Sequence, residues 1–159
     1  MKPLNYKTMD IKKYFFFSLC LFTTSLFPQF STEKISFQSA NPFSLNDIIS
    51  DLENQEKQEV FGTLVIPKDS TDSKKFPLVV GVAGSYGWGE HHFKYLEMYR
   101  KMGIATFELN SFKSRNITST VGTQTEITMA AMILDAYRAL EVLSVHPKIN
   151  KEKISITGW

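Results

Sequence analysis

The chain has 159 residues, 43% of them hydrophobic and 13% aromatic, enough to build one globular core and too apolar for a disordered chain. Its formal charge of +2 gathers at the start, where Lys2, Lys7, Lys12 and Lys13 face only Asp10 in the first 27 residues. The rest holds 14 basic and 15 acidic residues. That balance offers no basic surface for nucleic acid.

The first segment leads from lysines into Tyr14–Phe27, fourteen uncharged residues with four serines and threonines among them. A membrane-spanning helix needs about 20 apolar residues. A basic stretch followed by a run of this length instead reads as a secretory signal peptide, with Thr23-Thr24-Ser25 as the small-residue cleavage site. The alternative is an uncleaved anchor, through which alone the chain would touch a membrane. Residues 1–27 thus predict an exported protein, periplasmic or secreted. Cys20 is the only cysteine, so a mature chain has no disulfide.

Residues 28–58 are polar and mixed and read as a lead-in. They contain one short helical candidate, where Ser44 and Asp47 form a capping arrangement before Ile48, Ile49 and Leu52. From residue 59 the pattern changes, and 59–159 read as one α/β unit. Val60–Pro67 is a β-branched strand, Asp69–Lys75 a turn cluster, and Pro77–Ala83 a continuously apolar strand of the kind covered on both faces. A glycine-rich loop and a helix from about His92 to Lys101 precede the strand Ile104–Leu109. Residues 110–123 are irregular. A long helix over about Thr125–Ser144 carries Met129, Ile133, Ala136, Leu140 and Leu143 as one apolar stripe. Ile154–Thr157 is the last strand. Strands alternating with helices predict an α/β fold with a mostly parallel sheet flanked by helices.

Parallel sheets bind ligands at the carboxyl ends of their strands, so the loops after Ala83, Leu109 and Gly158 are where chemistry belongs. The first, Gly81-Val-Ala-Gly-Ser-Tyr-Gly-Trp-Gly89, is made of small residues that let backbone N–H groups approach a substrate carbonyl. Ser85, then Gly84, are the candidate oxyanion donors; a glycine-rich turn that merely packs strand on helix is the plainer reading. Gly158-Trp159 fits the opening of a G-x-S-x-G nucleophile elbow, with the nucleophile as the following residue.

Three features in order resemble the dienelactone hydrolase family of the α/β-hydrolase fold. They are Phe76–Ser85, the segment Leu109-Asn-Ser-Phe-Lys-Ser-Arg115, and the run from Gln124 through His146-Pro-Lys-Ile-Asn150 to Ile154–Gly158. The resemblance covers about the first half of such a domain. It implies hydrolysis of small ester or lactone bonds by a Ser or Cys nucleophile with downstream Asp and His. All three lie beyond Trp159, so the 159 residues alone are expected to be inactive, with no cofactor required. Two positions depart from the family pattern: Ala83 replaces histidine and Asn110 replaces aspartate, both bordering the cleft. Asn110, Tyr86 and Arg115 are candidate substrate contacts, although Arg115 could equally hold the Asn110 loop.

Other residues carry less. Glu90-His91-His92 lacks a second cluster to complete a metal site and reads as surface or helix-capping histidine. His146 fits a helix C-terminus, and Asp135 and Glu141 read as solvated charges. A dinucleotide-binding domain is a competing reading, with Gly81, Gly84 and Gly87 after a strand and Glu108 as the ribose acid, but the glycine spacing is G-x-x-G-x-x-G. A secreted, non-catalytic relative of the hydrolases is the third.

Overall fold

The computed structural model describes residues 30–68, 74–122 and 125–159; the segment 1–27 lies outside them, as do 69–73 of the turn cluster. The described strands are β1 (Phe30–Ala40), β2 (Lys57–Pro67), β3 (Phe76–Val82), β4 (Ala105–Leu109) and β5 (Ile149–Gly158). The helices are α1 (Leu45–Ser50), α2 (Glu90–Lys101) and α3 (Met129–Ser144). The strands form one sheet in the order β1-β2-β4-β3-β5. The three apolar runs lie side by side: β4 and β5 flank β3 in parallel, and Val82 lies opposite both Leu109 and Gly158.

The sheet is mixed rather than mostly parallel, because β2 runs antiparallel to both β1 and β4. Residues 30–40, expected to be lead-in, form a full edge strand paired with β2 from Phe30↔Pro67 to Ala40↔Lys57. The signal was a period of two: Ile35, Phe37 and Ser39 turn inward while Lys34, Ser36 and Gln38 stay in water. Polar outer residues disguise such a strand, and antiparallel sheets tolerate one wet face. The α1 capping box is present, with Asp47 N–H donating to Ser44 Oγ at 3.3 Å and Ser44 N–H to Asp47 Oδ2 at 2.8 Å.

Helices α2 and α3 cover opposite faces. Val60, Leu64, Leu78, Val80, Phe107 and Leu109 pack with Ala136, Ala139 and Leu143 of α3 into the main core. Gly62 belongs to this face because a Cβ there would lie 2.1 Å from the Phe107 ring. On the other face Leu96 is fully buried, and Arg100 donates to Thr106 Oγ1 at 3.0 Å. Burial raises the Glu108 carboxyl above its ordinary range, against the opposing pull of Arg100, 4.0 Å away, and of Lys113. Glu108 therefore faces Arg100 beneath α2.

Helix α3 begins at Met129, with Thr128 as its cap accepting from Ala131 N–H at 3.1 Å. Its buried face is rotated from the expected stripe. Met129 is 74% exposed, while Ala130, Ala131, Leu134, Asp135, Ala136, Ala139 and Leu143 are buried. The alanines let the helix lie close to the sheet, and the larger apolar side chains of Ile133 and Tyr137 border a groove shared with Leu45 and Ile49. Asp135, expected to be solvated, is completely buried.

Candidate active site

The loops after β3 and β4 meet Gly158 and Trp159, at the end of β5, along the carboxyl edge of the sheet. Gly84 and Gly87 close a tight turn, with Gly87 N–H donating to Gly84 O at 2.8 Å and Gly87 in the left-handed region at φ 71°. The peptide between Gly84 and Ser85 is trans, so fixing its carbonyl inside the turn directs the Ser85 N–H outward. The Ser85 carbonyl accepts from Thr120 N–H at 2.9 Å and from Ser119 Oγ at 3.0 Å, which ties the tip to the segment after β4. Gly84 lies directly on the Trp159 backbone: a Cβ there would sit 2.3 Å from the Trp159 carbonyl oxygen. Gly84, Ser85, Gly158 and Trp159 thus border one open cleft of about 410 Å³.

Trp159 is held by rings from the β3 loop and α2. Its ring centroid is 4.9 Å from His92, 5.8 Å from Trp88 and 6.4 Å from Tyr95. His92 is buried and caps α2, its Nδ1 accepting from Gly89 N–H at 2.9 Å. Burial, with a smaller contribution from neighbouring His91, lowers its pKa below the ordinary value. His91 is exposed. No group of three or more metal-ligating side chains gathers among the described residues. His146, after α3, stands 3.3 Å from Glu33 of β1. Nothing in the sequence pattern linked His92 to Trp159, since the pairing is made by the fold.

Asn110 and Tyr86 border a second, smaller cavity of about 170 Å³ that shares Val82, Ala83, Phe112 and Met132 with the cleft. Asn110 is buried, its N–H donating to Phe61 O and its Nδ2 to Glu108 O, both at 3.0 Å. Tyr86 is 80% exposed.

Arg115 lines neither space. Its Nε donates to Asn41 Oδ1 at 2.8 Å, Nη1 to Ser111 O at 3.0 Å and Asp135 Oδ2 at 2.7 Å, and Nη2 to Ala40 O at 3.2 Å and Asp135 Oδ1 at 3.1 Å. All five N–H groups are used, leaving none for a substrate carboxylate. Of the two roles open to Arg115, the geometry fits holding the loop after β4.

No family model and no curated protein matches the sequence. Solved structures do. Esterase Est22 is similar at 14% identity and TM-score 0.53, over 81% of this chain and 34% of that one. A Bacteroides ovatus protein, described as a candidate dipeptidyl aminopeptidase IV, is similar at 17% identity and TM-score 0.55, over 85% of this chain and 18% of that one. The dienelactone hydrolase-like promiscuous phosphotriesterase P91 from metagenomic libraries aligns at 15% identity and TM-score 0.48, over 82% and 49%. The first two establish the likeness as one of fold: a mixed α/β sheet flanked by helices, shared with hydrolases. The chain spans less than half the length of each of these three structures.

Proposed function

We propose that this chain carries the sheet and oxyanion loop of an ester or lactone hydrolase of the dienelactone hydrolase type. In this reading the nucleophile of the whole protein follows Trp159, with the acid and base further along. Residues 1–159 alone then turn over nothing, because oxyanion donors without a nucleophile cannot form an acyl-enzyme.

The observation that carries the reading is the seat of Gly84 on the Trp159 backbone at the carboxyl edge of parallel strands. Acyl transfer needs an N–H from the β3 loop within reach of the residue that follows the β5 turn. The reading is supported by the turn that carries the Ser85 N–H being pinned at Gly84 O and Ser85 O, since such a donor must be fixed before the reaction. A cleft of about 410 Å³ is in keeping with small esters or lactones. Removal of Met1 to about Ser25 on export to the periplasm or medium belongs to the same proposal.

The test is to treat the full-length protein with a fluorophosphonate or a thiol-directed lactone probe and map the labelled residue. Labelling immediately after Trp159 supports the reading. Labelling elsewhere, or none while esters are still hydrolysed, contradicts it.

A further inference from the structure

We propose that the 170 Å³ cavity beside the oxyanion loop is a subsite for one uncharged, apolar ring, so that the site selects neutral substrates over those carrying a carboxylate. The inference deepens the hydrolase reading and rests on it for the place of the ring in an ester. Two observations carry it: the size and apolar walls of the cavity, and the lack of a buried cation among the described residues that line either space. Trp88, Leu109, Phe112, Ile117 and Met132 supply much of the wall. Leu109 and Phe112 are buried, and Ile117 and Met132 pack against the small cluster that Phe112 forms with Ile127 and Ala131. The volume is close to the roughly 150 Å³ that accepts one benzene ring in an engineered apolar cavity. Several donors of the lining are already engaged within the protein. Trp88 Nε1 donates to Leu109 O at 3.0 Å, Asn110 Nδ2 to Glu108 O at 3.0 Å, and Gly87 N–H to Gly84 O at 2.8 Å. What such walls offer a ligand is apolar contact.

The charges point the same way. Among the described residues, no ionisable side chain lines the cleft, and only Tyr86 and Lys113 line the cavity, both exposed. Arg115 lines neither space, and its guanidinium is committed to Asp135, Asn41 and two backbone carbonyls. A carboxylate between apolar walls would lose its water without gaining a partner, whereas a hydrocarbon ring is stabilised by the same transfer. Cavity and cleft share Val82, Ala83, Phe112 and Met132, so a ring in the one adjoins an ester group in the other. Ile117 borders the cavity and not the cleft, so it can be changed without touching the oxyanion loop.

The experiment uses the full-length protein and has a binding arm and a turnover arm. In the first, toluene and benzoate are titrated by NMR, and nuclear Overhauser contacts from the ring to the methyl groups of Ile117 and Met132 are recorded. Toluene should show these contacts and benzoate should not. Ile117→Phe, which enlarges a wall residue, should weaken toluene about 10–200-fold, with folding checked by a melting curve. If the variant does not fold, the contacts in the parent protein decide. In the second arm, benzyl acetate and methyl phenylacetate are each compared with their 4-carboxy counterparts, which places the ring on either side of the ester. The neutral member of at least one pair should be favoured about 10-fold or more in kcat/KM, since an unpaired charge is harder to bury than a misplaced methylene. Toluene bound at Ile117 and Met132 with no ester turned over would remove the hydrolase reading and leave the ring site standing. No toluene contact at those methyls, or benzoate bound there as tightly, overturns the ring site whatever the turnover. Equal turnover within both ester pairs overturns the selection of neutral substrates.

Discussion

Arg115 and Asp135 form a buried, two-pronged ion pair, Nη1 to Oδ2 at 2.7 Å and Nη2 to Oδ1 at 3.1 Å, with side chains 5% and 0% exposed. The pair joins the loop after β4 to α3. Ser39 Oγ adds a third bond to Asp135 Oδ1 at 2.6 Å, bringing in the edge strand β1. Three separate parts of the chain are therefore locked behind the loop that borders both cavities.

Breaking this pair from one side should be severe. Arg115→Ala or Asp135→Ala leaves a buried charge without its partner, and each is expected to lose about 3–5 kcal/mol in chemical denaturation. Arg115→Lys should rescue little, because an ammonium cannot replace the planar fork. Losses below about 1 kcal/mol for both alanine variants would show that the pair does not hold the loop.

Gly84→Ala tests the contact between the β3 loop and the Trp159 backbone. The new methyl would lie 2.3 Å from the Trp159 carbonyl oxygen, so the loop or the end of β5 must move. The expected result is a shift in tryptophan emission, because Trp159 sits among Trp88, His92 and Tyr95. Unchanged emission and unchanged amide resonances at 158–159 would mean that the two backbones are not in contact.

Acid should weaken the same corner through His92. Its folded pKa is lowered by burial and then by His91, below the ordinary histidine value of about 6.5. As pH falls through about 6.5 the unfolded chain takes up the proton first, so the stability His92 contributes is whole above that pH. It declines between 6.5 and the lower folded value, by at most about 1.4 kcal/mol per pH unit, and then levels off. Protonation at Nδ1 also removes the acceptor for Gly89 N–H. His92→Gln should flatten the stability profile over this window relative to the parent. Equal slopes for the two proteins would remove His92 from the account.

The central strands were legible in the sequence because Pro77–Ala83, Ile104–Leu109 and Ile154–Thr157 are short apolar runs between turns and helices. The edge strand was not, since half of Phe30–Ala40 faces water and its alternation is broken by serines. The face of α3 was misplaced for a related reason: hydrophobicity alone favours Met129 and Ile133, whereas close approach to a sheet favours Ala131, Ala136 and Ala139. The grouping of Gly84, Ser85, Gly158 and Trp159 followed from strand order. Asp135 and the 170 Å³ cavity could not be read locally, because Asp135 is buried by partners 20 and 96 residues away, and the cavity is assembled from several loops.

The most direct measurement of the central claim is ester turnover by the full-length protein with two substitutions at one position. Ser85→Pro removes the backbone N–H assigned to the oxyanion, whereas Ser85→Ala keeps it. With folding verified by circular dichroism, the proline variant should lose about 10²–10³-fold in kcat and the alanine variant much less. Equal losses in two folded variants, or full activity in Ser85→Pro, would contradict the assignment of this loop to the oxyanion.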